Sequence, residues 1–147
     1  MANMKATVRY AGDELFIAVS PSGHAQIIDT DGERKSAATP MEMLLMALGA
    51  CTATDVASIL AKKREGITDY RVEVSGERRN EVPRSFETIH VHHILRGHSL
   101  SERAVAHAIE LSDTKYCSVA ATLRPTAQIT SSYEIVQEVQ AERIANA

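Results

Sequence analysis

No tryptophan occurs in this chain, and only two phenylalanines do, so its core must be built mainly from Ala, Val, Ile, Leu and Met. Two cysteines in 147 residues exclude a disulfide framework and leave two thiols that are either reactive or simply buried. Basic charge is not in excess. Sixteen Lys and Arg stand against 19 Asp and Glu, and a net charge of −3 argues against nucleic acid or an anionic membrane as a partner. Residues 1–20 carry neither a continuous apolar segment nor a small-residue cleavage site, so no signal peptide is expected and the expected compartment is the cytoplasm. Internal repeats and low-complexity segments are lacking too. What remains is a composition of 44% apolar and 24% charged residues, which at this length is that of one soluble globular domain spanning 1–147.

The chain is organised around the apolar stretch from Thr39 to Asp55. Thr39 is placed to cap a helix, Pro40 fits the first helical position, and Glu42 completes a capping box three residues after the cap. The pattern runs on to about Glu65, with Gly66 as the stop. Such a helix is about 39 Å long and crosses a molecule whose radius of gyration is about 15 Å. It is apolar around most of its circumference, so burial on most sides is expected, and a face including Leu45, Val56 and Ile59 needs cover from a second chain. Asp55 and the Thr, Ser and Gly positions argue against a membrane span.

On either side the pattern changes. Lys5–Tyr10, Glu14–Val19 and His24–Ile28 read as strands separated by turns at Gly12 and Gly23, followed by a polar loop over Asp29–Ala38. Beyond Gly66, Asp69–Arg79 alternates as a half-buried strand, and Phe86–Arg96 reads as its neighbour. Ser101 opens a second helix, with Ala104, Ala108 and Leu111 on one face. Cys117–Leu123 reads as a short third helix, Pro125–Ser132 as a last strand and Tyr133–Ala147 as a partly helical, frayed tail. The order is α+β rather than a run of βαβ units. It divides into N-terminal strands at 1–38, a central cysteine helix at 39–66, a mixed segment at 67–133 and a tail at 134–147.

Four groups of residues invite chemistry. Cys51 shares a helix face with Leu44, Leu48, Asp55 and Lys62, and an acid one turn away raises a thiol pKa when both are buried, so reactivity needs a cation from elsewhere. A free cysteine is more commonly a small core hydrophobe, and on pattern alone that reading is favoured for Cys51. Cys117 follows Lys115 and precedes a helix start, both of which lower a thiol pKa. His90 and His92 share a strand face at a spacing that suits a metal, but without C-x-x-C or H-E-x-x-H nearby, imidazoles packed against a sheet are the commoner outcome. Lys62, Lys63 and Arg64 complement a helix C-terminus.

Two segments lift the reading further. Thr39-Pro40 leading through Glu42 to Cys51 resembles the cysteine-helix motif of the OsmC/Ohr family, and Lys115-Tyr116-Cys117-Ser118 resembles its second cysteine motif. The 66-residue spacing and the element order fit as well. The resemblance implies an intertwined homodimer in which antiparallel sheets wrap two long central helices. It implies thiol-dependent reduction of small-molecule organic hydroperoxides, with Cys51 as the peroxidatic and Cys117 as the resolving residue, an external thiol reductant and no cofactor or metal.

Three positions depart from the family pattern. Met41 stands where an acid usually follows the proline, and the acid here, Glu42, lies about 100° further round the helix. Arg34, in the loop before the helix, is the nearest candidate for the family's activating arginine. Ser118 replaces a proline. These departures support the alternative of a non-catalytic dimer that binds a small apolar ligand or senses redox state.

Overall fold

The structure, a computed structural model, describes residues 3–139. They divide between Leu44 and Leu45 into two compact units.

The first unit is an antiparallel three-stranded meander of β1 (Thr7–Gly12), β2 (Leu15–Val19) and β3 (Ala25–Asp29), in the order β1-β2-β3. The β1–β2 connection is a two-residue turn closed by the Gly12–Leu15 pair, with Asp13 at φ 49° and Glu14 at φ 61°. Both central residues are left-handed, as the tightest hairpin turn matching strand twist requires. The turn is therefore Asp13-Glu14, one position later than its sequence suggests. Little of this sheet is covered: Ile28 and Asp29 are its buried side chains, while Val8, Tyr10, Ile17 and Ile27 are exposed.

Helix α1 (Pro40–Lys62) starts in the first unit and continues through the second. The Thr39 hydroxyl accepts from the Glu42 amide at 3.2 Å, the capping bond expected of this sequence. A single stripe of α1 is buried, formed by Leu48, Gly49, Thr52, Val56 and Leu60. This corrects two expectations. The helix is not buried on most sides within this chain, and Val56, fully buried, lies on the covered face; Leu44 and Met46 are among its exposed large apolar side chains.

The second unit carries β4 (Gly66–Arg78), β5 (Phe86–His98), α2 (Glu102–Leu111), a π-turn (Ser112–Tyr116), α3 (Ser118–Leu123) and β6 (Gln128–Gln137). Its sheet has the order β4-β5-β6, β4 and β5 antiparallel and β5 and β6 parallel. The parallel pairing requires the long α2–α3 crossover, since a tight turn cannot reverse the chain twice. Strand β5 alternates cleanly: Ile89, Val91, His93 and Leu95 are buried, and His90, His92 and Ile94 face the other way. Val56 and Leu60 of α1, Leu95 of β5 and Val105, Ala108 and Ile109 of α2 form one core. The buried stripe of α2 is thus centred on Val105, Ala108 and Ile109, with Ala104 and Leu111 at its margins.

Glycine 49 allows close approach of α1 to this sheet, because a Cβ there would stand 3.0 Å from Val74. The last strand also extends past Ser132. Residues 133–137 pair with β5 instead of fraying, held by the alternation that puts Tyr133 and Ile135 against the core. Residues 140–147 of the expected tail lie outside the described residues.

Candidate functional site

Cys51 lies in the middle of α1 and is half-buried, whereas Cys117 is 4% exposed. Sixty-six positions apart in sequence, their Sγ atoms and a carboxylate oxygen of Asp55 all lie within 4.8 Å of one another. Asp55 reaches the pair because it follows Cys51 by four residues on the same helix face. Cys117 reaches it through the π-turn. The Cys117 amide donates to the Ser112 carbonyl at 2.9 Å, a bond spanning five residues, and the widened turn brings the chain back before α3 begins. Such wide turns recur beside functional residues. At the start of α3, the Ala120 amide donates to the Cys117 sulphur at 3.4 Å.

Ser112 ties the two segments together. Fully buried, its hydroxyl lies 3.0 Å from Thr52 Oγ1 and 2.9 Å from Asp55 Oδ2. Burial pushes the Cys117 thiol up to about 11, with Cys51 and Asp55 raising it further and the Ala120 amide opposing. The sequence expectation of a lowered Cys117 pKa is thereby overturned. A single helix-terminal amide does not offset desolvation plus a neighbouring carboxylate, and the Lys115 ammonium sits over the Tyr116 ring, 5.3 Å from its centroid.

Further along the sheet, the Tyr70 hydroxyl lies 2.6 Å from His93 Nδ1, and the two rings stack at 5.9 Å. Burial raises the Tyr70 phenol, and the charges of Asp113 and Asp55 add to that. Burial pushes the His93 imidazole down to about 4, with His92 and His90 contributing. His93 Nε2 is buried without a partner. A cavity of about 400 Å³ adjoins Asp55, walled by Ile59, Leu111 and Tyr116 and edged by Lys62 and Lys63. A second, of about 310 Å³, adjoins Cys117 and includes Asp113 and Arg124.

Arg34 belongs to the first unit. Its guanidinium forks onto Asp29, Nε to Oδ2 and Nη2 to Oδ1, both at 2.9 Å, and Nη2 also donates to the Asp13 carbonyl. Ser36 completes the Asp29 shell through both its amide and its hydroxyl. This shell holds the Asp29 carboxyl far below the usual carboxylate range, Arg34 being the largest contributor. His90 and His92 form a hydrogen-bonded ladder with β6: His90 bonds Thr130 and Ser132, and His92 bonds Ser132 and Glu134. The residues that sequence reasoning missed are Thr52, Ser112 and Tyr70. Their one legible signal is a polar side chain interrupting an otherwise apolar buried stripe.

A helix-borne thiol facing a second thiol from a crossover segment, within an α+β fold, defines a class of thiol proteins. The comparisons name it. The OsmC-like protein family model matches residues 31–132, and the chain belongs to that family. It is 46% identical over 133 residues to Protein YhfA of Escherichia coli K12, covering 90% of this chain and 98% of that protein. A hypothetical protein from Aquifex aeolicus shares the fold at a TM-score of 0.84 and 28% identity, covering 95% and 100% of the two chains. The organic hydroperoxide resistance protein OsmC of Legionella pneumophila matches at a TM-score of 0.68 and 11% identity, covering 91% and 98%, and shows the fold alone. The α+β, OsmC-like fold expected from the sequence is the one observed, except that the expected antiparallel pairing does not extend to β5 and β6, which run parallel because the α2–α3 crossover joins them.

Proposed function

We propose that the chain is a thiol peroxidase for organic hydroperoxides, working as a homodimer in the cytoplasm, where thiol reductants recycle it. The observation that carries this reading is the convergence of Cys51 and Cys117 from two segments to within 4.8 Å. Cys51, the more exposed thiol, attacks as thiolate. Its sulphur bonds the terminal peroxide oxygen, the O–O bond breaks, and the alkoxide leaves as an alcohol after taking a proton. The Cys51 sulfenic acid then condenses with the Cys117 thiol, forming a disulfide and releasing water. Two equivalents of an external thiol restore the reduced pair. Ile59, Leu111 and Tyr116 give the adjoining cavity the apolar walls that an organic peroxide requires. Arg34, the cation the sequence offered for this thiolate, is held by the Asp29 carboxylate within its own unit.

Intact-mass spectrometry after peroxide treatment tests it. Wild type should lose about 2 Da as the disulfide forms, and Cys117→Ser should gain about 32 or 48 Da by over-oxidation at Cys51. Cys51→Ser should abolish hydroperoxide consumption. Two unmodified thiols after excess peroxide would overturn the proposal and leave the non-catalytic ligand-binding dimer in its place. The observation favouring that second reading is the Asp55 carboxylate beside both sulphurs, which adds to the burial that raises the Cys117 thiol.

A further inference from the structure

We propose that Cys51, Asp55 and Cys117 form a binding site for a thiophilic divalent cation of the zinc class. The inference does not depend on the peroxidase reading, because it requires only that both sulphurs be reduced.

The donor set comes first. Two thiols and one carboxylate present one ligand atom each, all within 4.8 Å of one another. Around a tetrahedral zinc, with bonds of about 2.3 Å to sulphur and about 2.0 Å to oxygen, neighbouring donors stand between about 3 and 4 Å apart. The three groups therefore need only small side-chain rotations to share one ion. Among the described residues, no other group of three His, Cys, Asp or Glu donors converges in this way; His90 and His92 do not belong to one.

The surroundings supply a second, independent argument. Metal ligands are ordinarily held by outer hydrogen bonds that aim them and temper their charge. Here the Ser112 hydroxyl lies 2.9 Å from Asp55 Oδ2, and the Ala120 amide donates to the Cys117 sulphur at 3.4 Å. Ser112 is itself fully buried and lies 3.0 Å from Thr52 Oγ1, so the carboxylate is braced from α1 and from the crossover at once. A bound dication displaces the thiol protons as it binds and offsets two of the three negative charges. Three protein ligands leave the fourth tetrahedral position to water or another small ligand, the arrangement of an exchangeable rather than a closed structural site. The ion and a Cys51–Cys117 disulfide use the same electron pairs, so oxidation of the pair must release the metal.

The test uses the reduced full-length protein and two probes, Co2+ and Zn2+. Cobalt titration should saturate at one ion per chain and give the near-ultraviolet band of thiolate-to-cobalt charge transfer with the visible bands of a tetrahedral ion. Cys51→Ser and Cys117→Ser should each weaken the charge-transfer band and lower affinity at least tenfold. Asp55→Asn should lower affinity while keeping the band, and the double variant His90→Ala/His92→Ala should bind as wild type does. Should a cysteine variant fail to fold, wild type decides the question: saturating Zn2+ should protect both cysteines from alkylation, as read by peptide mass, and excess peroxide should displace the ion into a chromogenic chelator. Substoichiometric cobalt without a charge-transfer band, zinc that leaves both thiols open to alkylation, or binding lost only in the histidine variant would each overturn the proposal.

Discussion

The two sheets of this protein are built on opposite principles. The N-terminal meander buries only two side chains, Ile28 and Asp29, and its best-determined feature is polar: a carboxylate enclosed by Arg34, Ser36 and the Asp31 amide. The C-terminal sheet packs a continuous aliphatic core from α1, β5 and α2, and places its polar groups, Thr52, Ser112 and His93, inside it. A three-stranded meander whose apolar side chains are mostly uncovered has little to hold it alone. A sheet covered by two helices has a core of its own and can carry strained or desolvated chemistry. The candidate thiol site lies in the second unit, where rigid neighbours fix side-chain positions.

The exposed apolar residues of the first sheet and of α1 are the surfaces that the proposed homodimer would cover. Only 22% of the most apolar 18-residue window of α1 is buried. The largest expected effect is therefore on association. Light scattering at micromolar concentration should return twice the 16.0 kDa chain mass, and a folded monomer would break the comparison at its root. Within the second unit, Leu60→Ala should cost about 2–5 kcal/mol in urea unfolding, because Leu60 is fully enclosed and leaves a cavity.

His93 comes next in size. Its folded pKa, about 4, lies below the ordinary 6.5, so the unfolded chain takes up the proton first. Its contribution is thus fully present above about pH 6.5 and is lost as pH falls toward about 4. On the order of 2 kcal/mol should disappear between about pH 7 and about pH 5. His93→Gln, which keeps a partner for the Tyr70 hydroxyl, should flatten that slope. An unchanged pH dependence would show that another group governs it. The smallest effect belongs to the first unit. Thr39→Ala removes the cap on the Glu42 amide and should cost about 1 kcal/mol. A loss as large as that of Leu60→Ala would mean that the N-terminal unit contributes far more to the fold than its exposure indicates.

Much of this architecture was legible in the chain itself. Local signals are strong where one residue type has one physical use: Thr39-Pro40 starts a helix, Ser101 caps another through the Ala104 amide, and alternation from Phe86 onward marks a half-covered strand. The two cysteine motifs likewise stand out as short stretches. Other features depend on which surfaces meet, and periodicity does not encode that. Nothing local distinguishes the covered stripe of α1, through Leu48, Thr52, Val56 and Leu60, from its equally apolar reverse side. The parallel pairing of β6 and its extension to Gln137 follow from β5 offering an edge along residues 88–97. The environment of Cys117 departs from its local sequence signals for the same reason. A nearby lysine and a helix start are visible in sequence, but desolvation and the approach of Asp55 are consequences of packing, and they outweigh the local terms. Sequence by itself determined the elements, their caps and the two thiols, because those depend on neighbours a few residues away. Tertiary structure alone decided that the thiols meet and how far each is removed from water, because energies of burial and charge depend on distance in space.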